Sequence, residues 1–231
     1  KAVLIAECPQ LDAETLMRRL GGTVKMGWII SQHTDAVVAK LCALATKNSP
    51  PDKKLFLGLS AYSLEQGVRL PSVRELRQLG IEVKRALQEQ GLKVRLVTSK
   101  ELALSSVIVK KERLLRQGME IVFLYSKDAM HIAQTLAVQE FEEASHRDFG
   151  RPERTMKVGM LPIQLTKIML NLSRTHKDAT ILDPFCGLGT VLMEATQMGY
   201  TKLIGTDLEE KMVDATRNNL RWLSTRDKPF S

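Results

Sequence analysis

One stretch limits the folds open to this chain more than any other: Ala179-Thr-Ile-Leu-Asp-Pro-Phe-Cys-Gly-Leu-Gly-Thr-Val-Leu-Met-Glu-Ala195. It reads as a short buried strand ending in Asp183, a turn carrying Gly187 and Gly189, and a helix beginning near Thr190. Glycine at those positions lets the backbone take positive φ and pass close to a ligand, because no Cβ stands in the way. The first N–H groups of the helix have no intrahelical acceptor, so the turn offers donors to whatever it binds.

At 231 residues the chain can bury a real core, and its length suits one or two domains. No run approaches the roughly 20 apolar residues that span a bilayer. Lys1-Ala-Val-Leu-Ile-Ala-Glu7 lacks the long apolar core and small-residue cleavage site of a secretory signal. A cytoplasmic location and no membrane partner are therefore expected. Cys8, Cys42 and Cys186 are odd in number and far apart, which fits neither a disulfide framework nor paired zinc ligands. His33, His131, His146 and His176 are equally scattered, so no metal is expected. The formal net charge of +8 and a pI near 9.5 favour a polyanionic partner. Between Arg74 and Arg116 stand eleven Lys or Arg against five Glu, an excess of six. The basicity is thus a local feature of the middle of the chain.

The first fifty residues predict a small βαβα unit: strand over Ala2 to Glu7, helix over Asp12 to Leu20, strand over Thr23 to Ser31, helix over Asp35 to Thr46. Asp12 suits a helix cap and Gly21-Gly22 a stop. Asn48-Ser-Pro-Pro-Asp52 then predicts a loop. Leu55 to Tyr62 reads as a strand. A helix follows, capped by Ser72, with Val73, Leu76, Gly80, Val83 and Leu87 on one face, and Gly91 ends it. Lys93 to Thr98 predicts a strand, Ser105 to Arg116 a helix closed by Gly118, and Met119 to Tyr125 and Met130 to Gln139 two strands about a Ser126-Lys-Asp turn. The polar stretch Glu142 to Arg154 reads as an interdomain linker. A helix over Leu161 to Leu172 follows, with Leu165, Ile168, Met169 and Leu172 on one side. After the glycine turn come a strand over Lys202 to Thr206 and a helix over Glu209 to Leu223.

Three ligand classes use a glycine turn at a helix start. A nucleoside triphosphate loop needs a lysine that is missing after Gly187 and Gly189. A dinucleotide fingerprint needs glycine where Leu192 stands. An adenosylmethionine site needs neither, but must hold an ammonium, a sulfonium and a ribose. Asp183 can attract the ammonium. Asp207, ending Leu203-Ile-Gly-Thr-Asp, can accept both ribose hydroxyls. The competing reading has both acids merely capping the helices that follow them. Cys186 is expected as a small residue lining the turn, since no histidine or lysine neighbours it to activate a thiol.

With those residues in view, the chain resembles the THUMP-containing tRNA guanosine-N2 methyltransferases. The resemblance rests on Asp183-Pro-Phe-Cys-Gly-Leu-Gly-Thr190, Arg151-Pro152, Gly159-Met-Leu-Pro162 and Leu165-Thr-Lys-Ile-Met-Leu-Asn-Leu172. Phe56 to Tyr62, Leu104 to Lys110 and Leu114 to Gly118 are similar to the THUMP segment, and Leu20 to Lys25 to the ferredoxin-like segment before it. The resemblance implies a mixed α/β and α+β chain: a ferredoxin-like domain over 1–51, a THUMP RNA-binding domain over 52–143, a linker over 144–157 and an incomplete Rossmann-fold methyltransferase domain over 158–231. It implies S-adenosylmethionine as cofactor and tRNA as partner. Met160, Leu161 and Pro162 would lie at the methionine end; Asp183, Phe185, Gly187, Gly189 and Thr190 would form the turn; Asp207 and Leu208 would meet ribose and adenine. Arg74, Arg77, Lys84, Arg85, Lys110, Lys111, Arg113 and Arg116 would contact RNA phosphates, against the alternative of a solvated charged surface.

The family's Asp-Pro-Pro-Tyr-like segment, which grips and stacks the target base, has no counterpart here, and the only Asp-Pro is Asp183-Pro184. The expectation is a fragment inactive alone, with its catalytic residues unknown. Alternatives stay open: an RNA-binding THUMP module on a non-catalytic Rossmann platform, or an rRNA guanosine methyltransferase. The front half argues against DNA. The number of methyl groups, the oligomeric state and the need for a small activating partner protein stay open too.

Overall fold

The computed structural model describes residues 2–8, 10, 12–32, 35–47, 54–154 and 160–226. Two compact units emerge, one of residues 1–13 with 24–138 and one of 14–23 with 139–231. The first helix, α1 (Ala13–Arg19), straddles that division.

In the first unit the period-2 segments assemble into one five-stranded sheet. Its elements are β1 (Lys25–Ser31), α2 (Val37–Lys47), β2 (Leu55–Ser63), α3 (Val73–Glu89), β3 (Val94–Val97), α4 (Ser106–Lys111), β4 (Gly118–Tyr125) and β5 (Met130–Val138), with strand order β1-β5-β4-β2-β3. β1 with β5 and β5 with β4 run antiparallel; β4 with β2 and β2 with β3 run parallel. Parallel neighbours require covered faces. Leu55, Leu57, Leu59 and Ala61 of β2 join Leu41 and Ala45 of α2 and Leu76, Val83 and Leu87 of α3 in the main core. The opposite face carries Phe56, Leu104, Val109 and Leu114. Gly58 makes that closeness possible, since a Cβ there would stand 2.5 Å from Leu104 and 2.8 Å from Leu114. The α3 start is a reciprocal capping box: Ser72 Oγ accepts from the Glu75 N–H at 3.2 Å, and the Glu75 carboxylate accepts from the Ser72 N–H at 2.6 Å.

A polar knot sits inside this sheet. Glu120 of β4 is fully buried. It accepts from Ser60 of β2 at 2.5 Å and Thr135 of β5 at 2.7 Å and pairs with Lys25 of β1. Ser60 Oγ in turn accepts from the Leu104 N–H at 2.9 Å. One carboxylate therefore links four strands and the approach to α4.

The second unit contains α5 (Phe141–Phe149), α6 (Ile163–Leu172), β6 (Thr180–Asp183), α7 (Thr190–Gln197), β7 (Lys202–Gly205) and α8 (Glu210–Arg226). β6 and β7 pair in parallel, Asp183 opposite Gly205. Leu170, Ile181, Ala195, Met198 and Tyr200 form its apolar core, with Val191 and Leu203 against it.

Several expectations need correcting. Ala2 to Glu7 forms no strand; β-branched residues make one only where their backbone finds a ladder partner, and here only Val3 packs, on Val122, Leu124 and Ala133. The helix expected to run to Arg116 stops at Lys111. Gly118 opens β4, where any Cβ would lie 1.9 Å from the Phe56 carbonyl oxygen. Glu142 to Arg154, read as a linker, is largely helix, with Arg147 and Arg151 buried. On α6 the buried face is Ile163, Thr166, Lys167 and Leu170, while Leu165, Met169 and Leu172 are exposed. Lys167 decides this: its ammonium donates to the Arg18 carbonyl at 2.7 Å and lies 4.0 Å from Glu194. Residues on both sides of 51 share the first sheet. The 48–52 loop and Gly159 lie outside the described residues. No described helix is long and apolar enough to cross a membrane.

Lys25→Met strands a buried carboxylate, and urea denaturation should show a loss of about 3 kcal/mol. Adding Glu120→Gln, which removes the charge, keeps one acceptor oxygen and turns an amide donor toward the other hydroxyl, should recover part of it; no recovery would mean that Lys25 acts through something other than the Glu120 charge.

Candidate functional site

The glycine turn is built almost wholly from backbone. β6 delivers Asp183, and the chain then folds back on itself: the Thr206 N–H donates to the Asp183 carbonyl at 2.9 Å and the Cys186 N–H to the Thr206 carbonyl at 2.8 Å. Gly187 and Gly189 take φ of +49° and +81°, and Gly189 is the residue before the first turn of α7. Beside Gly187 a Cβ would meet nothing within 4 Å, so the turn is open there. At Gly189 it would lie 2.9 Å from Thr216. Thr216 donates to the Gly187 carbonyl at 2.9 Å, and Asn219 donates to the Leu188 carbonyl at 2.9 Å. α8 thus holds the turn from behind, a role that its polar sequence did not signal.

Both acids face the turn. Asp183 Oδ1 accepts from the Phe185 N–H at 3.2 Å. Asp207 reaches across the β6–β7 pair, where Oδ2 accepts from the Gly187 N–H at 2.9 Å and Oδ1 from the Glu209 N–H at 3.1 Å. Those backbone donors, from Glu209 and then Gly187, hold the Asp207 carboxyl below the ordinary carboxylate range. Asp207 therefore does cap the approach to α8, as the competing reading had it. Each carboxylate oxygen nevertheless has a second lone pair, so capping leaves acceptor capacity for a ligand. Phe185 and Leu208 flank the turn as exposed apolar side chains. Cys186 is buried in the turn, as expected of a lining residue.

The segment before α6 is part of the same structure. Arg147 donates to both oxygens of the fully buried Glu194 of α7, at 2.7 and 3.3 Å. Arg151 donates to Thr190 Oγ1 at 2.9 Å and to Met160 Sδ at 2.8 Å. The backbone of Glu153 exchanges two hydrogen bonds with Asn219, at 3.0 and 3.1 Å. Met160 is thereby brought to the turn through Arg151, while Leu161 and Pro162 lead into α6, whose Thr166 donates to the Pro162 carbonyl. Burial pushes the Lys167 ammonium and the Arg151 guanidinium below their usual ranges and the Asp148 carboxyl above its own. Arg147, Glu194, Lys167, Thr216 and Asn219 were all missed in the sequence, because a buried charge inside a polar helix leaves no apolar period to detect.

The basic residues separate into two groups. Arg74, Arg77, Lys84 and Arg85 lie on α3, which covers one face of the first sheet; Lys110, Lys111, Arg113 and Arg116 lie on α4 and the turn after it, over the other face. Their exposed members are Arg74, Arg77, Arg85, Lys111, Arg113 and Arg116. Among the described residues no cluster of His, Cys, Asp and Glu could hold a metal.

Gly189→Ala combines a left-handed backbone with a clash against Thr216, and chemical denaturation should register a loss of about 2 kcal/mol; an unchanged midpoint would mean that the turn is not held as described. Asp207 has its pKa lowered by folding, so it stabilises above the ordinary carboxylate range and loses that effect as pH falls through its folded value. The stability gap between wild type and Asp207→Asn should accordingly be widest near neutrality and close in acid. A gap independent of pH would remove the backbone donors as its cause.

Residues 151–228 match the family model described as UPF0020: RMKL-like, methyltransferase domain. The chain is 41% identical over 102 residues to a tRNA (guanine(10)-N2)-dimethyltransferase of Methanothermobacter thermautotrophicus, a match covering 43% of this chain and 29% of that one. It is 38% identical over 91 residues to the protein of the same name from Pyrococcus abyssi, covering 38% and 25%. These matches span under a third of the relatives' own length. TrmN from Thermus thermophilus, a solved structure, superimposes with a TM-score of 0.45 at 17% identity over 87% of this chain and 52% of its own. The turn, its two acids, α7 and α8 all fall within the segment similar to that methyltransferase-domain model.

Proposed function

We propose that the chain belongs to an S-adenosylmethionine-dependent enzyme that methylates the exocyclic N2 of a guanine in tRNA. The observation that carries this is the open glycine turn with Asp183 and Asp207 both engaged on it, in a segment similar to a methyltransferase-domain model and in a chain part of which is similar to proteins named for that reaction. When bound, the cofactor supplies an electrophilic methyl group on a sulfonium. This chain's own residues do the holding. Asp207 accepts from the ribose hydroxyls with the lone pairs that Gly187 and Glu209 leave free, Asp183 attracts the ammonium, and Phe185 and Leu208 offer apolar contact to the adenine. Gly187, Gly189 and Thr190 let the backbone approach, and Met160, Leu161 and Pro162 close the methionine end. Held at these points, a bound nucleoside would be restrained from several sides by this chain's own residues.

The first unit is read as the RNA-engaging part: it holds residues 52–138 of the THUMP domain expected over 52–143, with β1 from the expected 1–51 domain in the same sheet. The local excess of positive charge supports this. Because the sheet separates the two basic groups, phosphates need meet only one of them.

Two measurements test this reading. Calorimetric titration with S-adenosylhomocysteine should show binding that Asp207→Ala weakens about tenfold or more; equal affinity for the variant would sink the site. Fluorescence anisotropy with tRNA across a salt series should show affinity falling steeply with salt. Reversing Lys111 and Arg116 to Glu, or separately Arg77 and Arg85, should flatten that slope by about one to two for whichever group meets phosphates. Two unchanged slopes would exclude both groups.

A further inference from the structure

We propose that Arg151 receives the carboxylate at the methionine end of the cofactor, an inference that rests on the cofactor reading above. Arg151 is 3% exposed, yet no carboxylate among the described residues forms an ion pair with it. Its hydrogen-bond partners are all neutral. Nη1 donates to Thr190 Oγ1 at 2.9 Å and lies 3.9 Å from Met193 Sδ, and Nη2 donates to Met160 Sδ at 2.8 Å. Nε is buried and finds no acceptor. A thioether is a weak acceptor, and a guanidinium taken out of water is costly unless an anion compensates it. Arg147 shows the ordinary solution: it is equally buried and is held through two bonds to Glu194. Arg151 has the burial, but the Asp148 and Glu194 charges reach it only through space, with no ion pair to either.

The surroundings select the missing partner. Thr190 is the first residue of α7, so the guanidinium stands at the positive end of a helix dipole, and both favour negative charge at the same point. A polyphosphate is disfavoured because the turn has no lysine to share its charge. One carboxylate matches one guanidinium, which can grip it with two parallel N–H bonds. Met160, bonded to Arg151, is the residue proposed to close the methionine end, and that end of the cofactor carries a single carboxylate. Arg151 is then a binding residue for the cofactor as well as a strut between the 151–154 segment and the turn.

Calorimetry on the 231-residue chain with S-adenosylhomocysteine and with its decarboxylated analogue, S-adenosyl-3-thiopropylamine, isolates the carboxylate. Wild type should prefer the former by about tenfold or more, as a charge-assisted pair implies. Arg151→Met should bring the two affinities within about threefold of each other, any loss shared by both ligands reporting the strut and the lost ratio reporting the carboxylate contact. Arg151→Lys should keep part of the preference. A wild-type ratio near one overturns the proposal with no variant needed. So does an Arg151→Met ratio equal to the wild-type ratio, the pattern of a residue that only props the turn. Wild type binding neither ligand would mean that the cofactor reading has failed and this inference with it; binding both equally would remove Arg151's role alone.

Discussion

Each of the two units is organised about one fully buried glutamate, Glu120 in the first and Glu194 in the second. A buried carboxylate that loses a partner is far more costly than an apolar group that loses a contact, so each glutamate fixes the elements that answer it. Around Glu120 those are β1, β2 and β5. Around Glu194 they are α5, through Arg147, and α6, through Lys167. Because Glu194 lies on α7, whose first residue is Thr190, the positions of α5 and α6 are transmitted to the end of α7 that carries the glycine turn. Buried ion pairs add little to net stability compared with apolar packing. What this one supplies is register between helices whose shared apolar core is small.

The turn itself asks little of side chains. Its shape follows from two glycines at positive φ and from backbone bonds between Asp183, Cys186 and Thr206. Thr216, Asn219 and Asp207 are the side chains that do hold it, and Asp207 serves two elements at once by accepting from Gly187 in the turn and from Glu209 just before α8. A carboxylate already fixed by two backbone donors has lost its rotational freedom before any ligand arrives. Further bonds to it need no additional ordering.

Features that depend on local backbone chemistry were legible in the sequence: the Ser72–Glu75 capping box, the β2 to β5 strands, the strand, turn and helix around Gly187 and Gly189, and the two acids. Features that depend on which polar group a distant element presents were not. The apolar stripe Leu165, Met169 and Leu172 reads as a packing face, yet α6 turns Lys167 and Thr166 inward because carbonyls of Arg18 and Arg19 and the Glu194 carboxylate lie there to meet Lys167 and Asn171. The segment from Glu142 to Arg154 reads as a linker because its composition is polar. Its polarity is instead what ties it to α7 and α8, through Arg147, Arg151 and the Glu153 backbone.

The same distinction governs the charge. The basic residues between Arg74 and Arg116 are close in sequence, but α3 lies on one face of this sheet and α4 on the other. Linear excess is therefore not a surface patch. Phosphate recognition depends on the spacing of cations along one surface, since each contact acts within roughly a Debye length of about 8 to 10 Å at moderate salt. A count of basic residues taken from the sequence speaks only to the sign of charge that a partner would carry. The topology β1-β5-β4-β2-β3, with α3 on one face and α4 on the other, decides which four of those eight residues any one phosphate backbone can meet.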